Sequence, residues 1–228
     1  MLSFNHVDFS FPNQPLFSHL NIDVAAGDFI FLIGRSGAGK TTLLQMIFMN
    51  LIPESGYVKF YDYASDKITP SMIPQLRRKL GVIFQDFKLL SDRNVYENVA
   101  FVLKVTNTPS KVIKRKVVHA LTEVGLAHKQ NNMLHELSGG EKQRIAIARA
   151  IINEPSLILA DEPTGNLDPQ TAEEILGILK KINSQGTSVI FATHNYELVK
   201  RHEAKIIKID DGKAYKVTLK KRTVEKSS

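Results

Sequence analysis

The amino-acid sequence predicts an α/β fold with a mostly parallel sheet at its core, an N-terminal antiparallel β part and an inserted helical subdomain. One observation is the apolar segment 29–33, which runs into a glycine-rich stretch and then into a segment, 43–48, with helical periodicity. Another is that the apolar runs 157–160 and 188–192 do not alternate with polar residues, as expected of strands buried on both faces of a parallel sheet. The change from strand patterns to helix patterns near residue 94 indicates the insertion.

Length and composition restrict the possible domain organisation, cellular compartment and partners of the protein. The 228 residues are 43% hydrophobic, so we expect one domain, with the helical subdomain over about 86–152 and a basic C-terminal tail over about 220–228. The absence of cysteine excludes a disulfide framework and suits a reducing compartment. No apolar run approaches ~20 residues and the start lacks a signal-peptide pattern, so we expect a soluble protein that is not exported. The net charge of +7 favours an acidic partner, namely a nucleotide, a nucleic acid or an anionic membrane surface.

The N-terminal segment precedes the glycine-rich stretch. Apolar residues at positions 2, 4, 7 and 9 alternate imperfectly with polar ones and predict edge strands, which the loop 11–15 interrupts. Phe11 is either a core residue or an aromatic face that stacks on a purine ring. A nucleotide site directly downstream favours stacking.

The glycine-rich stretch fits the pattern Gly-x-x-x-x-Gly-Lys-Ser/Thr, in which each fixed position has a physical reason. Glycines let successive backbone N–H groups turn inward around phosphates, which also face the positive end of the next helix. Lys40 would place an ammonium on the β- and γ-phosphates, and the Thr41 hydroxyl would coordinate Mg²⁺. A chance match remains the alternative, but the flanking strand and helix favour a nucleotide. The stretch comprises Gly34, Arg35, Ser36, Gly37, Ala38, Gly39, Lys40 and Thr41.

Polar residues follow three predicted strands at their carboxyl ends, where ligands bind in open α/β sheets. Asp161 suits Mg²⁺, and Glu162 suits orienting and deprotonating a water, although the pair is also compatible with an acidic turn before Pro163. His194 is either structural or a γ-phosphate contact, and its place at the same edge favours the contact. Gln85 is either an ordinary loop residue or a contact to the metal and the attacking water.

A second glycine-containing helix start lies at residues 138–144. Ser138 and Glu141 fit a capping box, but this does not explain Gly139 and Gly140, because glycine weakens a helix unless a ligand approaches its backbone. A second glycine-rich helix N-terminus indicates a second anion site. A chain that binds one nucleotide has no evident use for it.

These motifs resemble, in order and over nearly the whole chain, those of the ATP-binding subunits of ABC transporters. The stretches 34–41, Gln85, 137–143, 157–163, 165–168 and His194 correspond to the Walker A, Q-loop, signature, Walker B, D-loop and switch histidine. The resemblance implies a P-loop NTPase fold of the ABC ATPase type that hydrolyses ATP with Mg²⁺. It implies catalytic roles for Glu162, His194 and Gln85, metal contacts by Thr41, Gln85 and Asp161, and further nucleotide contacts by Phe11, residues 34–41, Thr42, Ser138, Gly139, Gly140, Glu141 and Asp168.

The family also explains the second anion site. Two subunits assemble head to tail, and the signature of one closes over the nucleotide of the other, so we expect a homodimer joined through ATP. Phe11 departs from the tyrosine that is frequent at its position, and Asn195 from the aspartate that often follows the histidine. The first departure affects only the strength of adenine stacking.

Within the family, residues 82–100 and 160–168 resemble the ATPases of bacterial cell division. Lipoprotein-releasing and macrolide-exporting ATPases share the Gly-Asn-Leu-Asp loop and remain the alternative. The cell-division resemblance implies an integral membrane subunit as partner and a cytoplasmic position, peripheral on the inner face of the plasma membrane. ATP turnover would then control cell-wall hydrolases instead of moving a solute.

Two other classes of function stay open. Nucleic-acid-associated relatives usually carry two cassettes or a long coiled coil, which this sequence lacks, so no nucleic acid is expected despite the charge of +7. A scaffold that binds ATP without hydrolysing it is the other class, and Glu162 argues against it.

Overall fold

A computed structural model of the chain describes residues 1–12 and 14–218, so the predicted basic tail over about 220–228 lies outside the described residues. The strands are, in chain order, β1 (Leu2–Phe11), β2 (Gln14–Val24), β3 (Phe29–Ile33), β4 (Ser55–Phe60), β5 (Tyr63–Ala64), β6 (Leu80–Ile83), β7 (Leu157–Asp161), β8 (Ser188–Thr193), β9 (Lys205–Asp210) and β10 (Lys213–Val217). The helices are α1 (Lys40–Ile47), α2 (Ile73–Arg78), α3 (Val95–Val105), α4 (Ser110–Glu123), α5 (Gly139–Ile151), α6 (Pro169–Ser184) and α7 (Tyr196–Lys200). Short 3-10 turns at Ala127–Lys129 and Leu134–Glu136 connect α4 to α5.

The strands form two sheets. One is antiparallel, in the order β2-β1-β4-β5, with Leu2 opposite both Val24 and Phe60. The other has the order β10-β9-β3-β8-β7-β6, and its strands are parallel except for β10, which runs antiparallel to β9. The predicted α/β class, with a mostly parallel core and an N-terminal antiparallel part, is therefore confirmed.

The central strands of the parallel sheet are buried on both faces. In β3, Phe31 and Ile33 join a core cluster with the helices α3 to α6, whereas Ile30 and Leu32 join a second cluster with α1 and the antiparallel sheet. The residues of β7 and β8 divide between the two clusters in the same alternating way. Because a strand points successive side chains to opposite faces, burial of both faces requires an unbroken apolar run.

Helices α3 to α5 occupy the chain between β6 and β7. Asn94 starts α3 with a capping box: its side-chain oxygen accepts from the N–H of Glu97 at 2.8 Å, and the Glu97 carboxylate accepts from the N–H of Asn94 at 3.1 Å. Helix α4 buries the apolar face that the sequence predicts, through Ile113, Val117, Ala120 and Leu121. The limits of a helical subdomain at about 86–152 stay a prediction.

The strand order decides where the candidate site lies. Because β3 lies beside β8, and β8 and β6 both flank β7, the carboxyl ends of these four parallel strands meet at one edge of the sheet. The glycine-rich stretch, Gln85, Asp161 and His194 all lie at this edge. Among the described residues, no helix is long and apolar enough to cross a membrane.

Candidate functional site

The glycine-rich stretch forms a loop between β3 and α1 whose conformation requires glycine. Gly37 has φ = 79° and Gly39 has φ = 99°, in the left-handed region that other residues rarely adopt. A Cβ on Gly39 would lie 2.7 Å from Cζ of Phe17, so a side chain at this position is excluded by packing as well. No side chain caps the start of α1. The loop therefore presents backbone N–H groups and a positive helix end at the sheet edge.

The Lys40 side chain is folded back into this loop and is 7% exposed. Its Nζ donates to the carbonyl oxygen of Gly34 at 2.9 Å and of Arg35 at 3.3 Å. The same ammonium lies 3.5 Å from Oε1 of Glu162. The loop thus holds a fixed positive charge beside its N–H groups, which suits the phosphates of a nucleotide.

Thr41 and Asp161 form a pair of oxygen ligands beside the loop. The Thr41 hydroxyl donates to Oδ2 of Asp161 at 2.8 Å, whereas Oδ1 of Asp161 is buried and has no hydrogen-bond partner in the described part of the chain. Burial raises the pKa of Asp161, with the nearby Glu162 carboxylate adding to the effect. A buried carboxylate oxygen without a partner is unfavourable unless a cation satisfies it. Hard oxygen ligands of this kind fit Mg²⁺ held jointly with phosphates.

Glu162 and His194 connect the ends of β7 and β8. The His194 Nδ1 lies 2.9 Å from Oε1 of Glu162, and the His194 backbone N–H donates to Oε2 at 3.3 Å. Glu162 itself has φ = 47°, which is strained for a residue with a side chain. Its N–H donates to the carbonyl of Ala192 on β8 at 3.0 Å, so the strained turn is fixed by the neighbouring strand.

Gln85 follows β6 and is exposed at the same edge. Its Nε2 would lie 3.1 Å from a Cβ added to Gly165. The glycine therefore leaves room for the amide of Gln85 in the loop that follows Glu162. Contacts of this amide with a metal or a water stay a prediction.

A cavity of about 850 Å³ joins these groups, a volume within the range of small-molecule sites. Phe11 lies at its rim and is 43% exposed, with its ring edge-on to Phe9 at 5.2 Å. The ring is thus accessible, and its stacking role stays a prediction. The lining residues are Phe11, Gln14, Leu16, Arg35, Ser36, Gly37, Gly39, Lys40, Thr41, Thr42, Gln85, Asp161, Glu162, His194 and Tyr196.

Three of these residues were not found from the sequence: Gln14, Leu16 and Tyr196. Tyr196 comes two residues after His194 and is 40% exposed, so its position after the same strand was a usable signal. Leu16 reads as an ordinary apolar residue of β2, and only the packing of β2 over the loop brings it to the cavity.

The predicted residues Ser138 to Glu141 do not line this cavity but start α5 elsewhere. The Glu141 N–H donates to the Ser138 hydroxyl at 3.2 Å, and the Ser138 N–H donates to Oε2 of Glu141 at 2.9 Å. Lys129 donates to Oε1 of Glu141 and, with the Ser138 N–H, holds the pKa of Glu141 below its usual value. The expected capping box is therefore present.

Packing supplies a reason for Gly140 that the sequence did not reveal. A Cβ at Gly140 would lie 2.5 Å from Cγ2 of Thr171 on α6, whereas one at Gly139 would meet Leu167 Cδ2 at an ordinary 3.5 Å. Asp168 caps α6, accepting from the Thr171 N–H at 3.0 Å and from its hydroxyl at 2.5 Å. Gly140 thus allows the starts of α5 and α6 to approach closely. Contacts of Ser138 to Glu141 and Asp168 with a nucleotide stay predictions.

Comparison with known proteins agrees with this geometry. A family model described as ABC transporter matches residues 17–165. Among curated proteins, the cell division ATP-binding protein FtsE of Bacillus subtilis is 42% identical over 93% of this chain and 93% of its own length. The FtsE of Mycobacterium tuberculosis is 40% identical over 93% and 94%, and that of Escherichia coli K12 is 40% identical over 93% and 96%.

Solved structures give the same result. The structure of cbiO1 from Clostridium perfringens, part of the ABC transporter complex cbiONQ, is 29% identical with a TM-score of 0.87, covering 94% of this chain and 86% of that one. The ATP-binding cassette MJ0796, a dimer in a post-hydrolysis state bound to ADP and Pi, is 30% identical with a TM-score of 0.84, covering 97% and 100%. The resemblance drawn from the motifs is thus confirmed.

Proposed function

Because this chain belongs to the ABC transporter family, we propose that it is the ATP-hydrolysing subunit of a membrane complex that acts in bacterial cell division. One observation carries the proposal: Lys40, Asp161 and Glu162 converge at one sheet edge in a chain similar to FtsE over nearly its whole length. Fold alone would not indicate this activity, because a fold supports many functions. The geometry of the edge supplies the chemistry.

The phosphates of ATP would bind at the loop between β3 and α1. The backbone N–H groups of the loop and the Lys40 ammonium would surround the β- and γ-phosphates, and Phe11 would cover the base. Thr41, Asp161 and Gln85 would hold Mg²⁺, whose charge offsets the negative charge of the phosphates. Most of the catalytic effect would then come from position and charge, because phosphoryl transfer to water needs little covalent help.

Glu162 would orient and deprotonate the attacking water. Its carboxylate is 13% exposed and already bonded by His194 at 2.9 Å, so its direction is fixed before any ligand enters. His194 would in turn contact the γ-phosphate. A carboxylate held by a neighbour in this way is suited to general-base catalysis.

The second part of the proposal is a homodimer joined head to tail through ATP. Ser138 and the N-terminal turn of α5 lie outside the cavity of their own chain, and the proposal assigns them to the nucleotide of the partner. Gly139, which no packing contact requires, leaves backbone accessible there. The dimeric state of the similar cassette MJ0796 supports this arrangement.

The membrane partner would be an integral subunit of the FtsX type, and a groove of about 540 Å³ offers a place for it. Phe101 and Val105 on α3 line the groove and are 36% and 64% exposed, and Arg77, Arg78 and Lys88 lie beside them. Apolar side chains next to these cations, of which Lys88 also pairs with Asp86 at 2.6 Å, suit an amphipathic segment that carries acidic residues. Binding there would hold the chain on the cytoplasmic face of the membrane.

Co-purification from detergent extract tests the partner. The tagged chain should retain one integral membrane subunit, and Val105→Asp should lose it because a charge would enter the apolar groove. Val118→Asp is the matched control, since Val118 is 40% exposed on α4 and does not line the groove. Identification of a lipoprotein-releasing or macrolide-exporting subunit would replace cell division by that alternative.

A further inference from the structure

The segment after Gln85 has an unusual backbone. Phe87 has φ = 59° and Lys88 has φ = 48°, so two successive residues with side chains adopt the left-handed conformation. Such residues are strained and persist only where the surroundings hold them in place. Gln85, which lines the cavity, lies two residues before the first of these strained positions.

Arg149, near the end of α5, holds this segment. Its two terminal nitrogens donate to the carbonyl oxygens of the strained residues: Nη2 to Phe87 at 2.7 Å and Nη1 to Lys88 at 2.6 Å. The planar guanidinium matches this spacing of two acceptors, which an ammonium cannot do. One donor fork thus fixes both left-handed peptides.

The environment of Arg149 shows that these two hydrogen bonds stabilise the guanidinium as well as the strained segment. Burial lowers the pKa of its guanidinium, and within the described residues no carboxylate lies close enough to form an ion pair with it. A partly buried cation without a carboxylate needs other acceptors. The carbonyls of Phe87 and Lys88 are those acceptors, so the strained segment and the buried cation stabilise each other.

Asn98 anchors the far end of the same segment. Its fully buried amide accepts from the Leu90 N–H at 2.7 Å and donates to the Leu90 carbonyl at 3.0 Å. Residues 87–90 are therefore held at two points, by α5 through Arg149 and by α3 through Asn98. Arg149 and Lys88 also line the groove that contains Phe101.

We propose that Arg149 is a positioning residue that sets the reach of Gln85 into the cavity by clamping the carbonyls of Phe87 and Lys88. The clamp thereby connects the last turn of α5 to the segment that follows Gln85. The structural part of the inference stands on the geometry alone. Its kinetic part rests on the proposed ATPase function.

Hydrogen exchange tests the clamp directly. Arg149→Lys keeps the charge but removes the fork, and amides of residues 86–90 should exchange about tenfold faster or more, because the segment opens locally. Arg144→Lys is the matched control: Arg144 lies on the same helix and also donates to a carbonyl, that of Val124, but does not contact this segment. Residues 86–90 should keep the protection of the parent in that variant.

Kinetics test the consequence for Gln85. Arg149→Lys should lower kcat about tenfold, since a misplacement of ~1 Å can cost about 10²-fold, while the Kd for ATP stays within about twofold. Combined with Gln85→Ala, the substitution should add almost nothing, because both act through one side chain. Fully additive losses, or unchanged exchange at 86–90, would overturn the proposal.

Glycine should rescue the clamp. In the Arg149→Lys background, Lys88→Gly should restore protection and kcat in part, because glycine adopts positive φ without strain, whereas Lys88→Ala should not. If Arg149→Lys alone does not fold, rescue of folding by glycine but not alanine gives the same answer. Equal effects of Lys88→Gly and Lys88→Ala would contradict the role assigned to the backbone strain. If the parent chain hydrolyses no ATP, the proposed function fails, and the exchange experiment still decides the clamp.

Discussion

Two helices of this chain start at glycines, and the starts of α1 and α5 differ in what the glycines do. Before α1, Gly37 and Gly39 adopt the left-handed conformation, no side chain caps the helix, and Lys40 supplies a fixed cation. At the start of α5, neither Gly139 nor Gly140 has a positive φ, and Ser138 caps the helix.

The two helix starts both contain glycines, but they need them for different physical reasons. The first start is built to turn several N–H groups toward an anion. The second uses its glycine at 140 to bring two helices together, and its acid Glu141 is bound by Lys129. In the proposed function, the first start therefore binds phosphates within its own chain, whereas the second contributes to a nucleotide only if another chain brings one.

The largest effect should come from removing the chemistry at the first region. Glu162→Gln keeps the size and one acceptor but removes the charge that orients and deprotonates water, so hydrolysis should slow by about 10²–10⁴ while ATP binding persists. Steady-state phosphate release and nucleotide titration measure the two properties. Glu54→Gln, at the residue directly before β4 whose carboxylate accepts from the Ser10 N–H, is the control that should leave both unchanged. A loss of less than about threefold, far below that range, would transfer the role to His194 or Gln85.

Substitutions in the two regions should separate binding from dimerisation. Lys40→Ala removes the fixed cation and should weaken ATP binding by about 10² or more, because charged hydrogen bonds to two phosphates are lost. Ser138→Arg should leave binding within about twofold but prevent the ATP-driven dimer, since a bulky cation would block the partner's nucleotide. Both substitutions are introduced into the Glu162→Gln chain, which should hydrolyse ATP slowly. Analytical ultracentrifugation with ATP then measures the fraction of dimer in each variant. Normal dimerisation by Ser138→Arg would refute the head-to-tail arrangement.

A stability measurement would sharpen the difference between the two glycines of α5. Gly140→Ala should lower the thermal midpoint by about 2–12 °C, because its Cβ overlaps Thr171 and overpacking costs ~1–3 kcal/mol. Adding Thr171→Ser should recover most of the loss, since it removes the methyl group and keeps the hydroxyl bonded to Asp168. Gly139→Ala should change the midpoint little. Equal losses in both glycine variants would contradict the role assigned to the contact between position 140 and Thr171.

The smallest effect concerns Asp161, where binding conflicts with stability. Since burial raises the pKa of Asp161 above its usual 3.8, ionisation destabilises the folded chain as pH rises through the interval from 3.8 to the raised value. Asp161→Asn should therefore raise the thermal midpoint of the nucleotide-free protein by about 2–4 °C at pH 7, and the gain should vanish below pH 3.8. With Mg²⁺ and ATP the order should reverse, because the parent alone gains ligand stabilisation. A gain independent of pH would show that the charge is not the cause.

Much of the fold could be predicted from local patterns. The unbroken apolar runs of β3, β7 and β8 predicted burial on both faces, and the capping residues Ser138 and Glu141 predicted the start of α5. These features depend on residues close together in the chain. The phosphate loop belongs to the same group, because its glycine spacing is set by its own backbone.

What could not be predicted depends on contacts between distant residues. The need for Gly140 comes from Thr171 on another helix, and the place of Leu16 in the cavity comes from the packing of β2. Arg149 reads as one more cation on a helix, and its bonds to Phe87 and Lys88 join residues about 60 positions apart. A sequence without known contacts gives no period or motif for any of these.

The position of β3 between β8 and β9 has a consequence for synthesis on the ribosome. Among the described strands, those of the antiparallel sheet end by Ala64 and can pair early, whereas both neighbours of β3 are complete only at Asp210. At ~5–20 residues per second, the antiparallel sheet therefore waits roughly 7–30 s for the strands that support the phosphate loop. During that interval the apolar segment Phe29–Ile33 has emerged without its partners. We expect the nascent chain to be unable to hold ATP, and to be most vulnerable to aggregation, until its last parallel strand has left the ribosome.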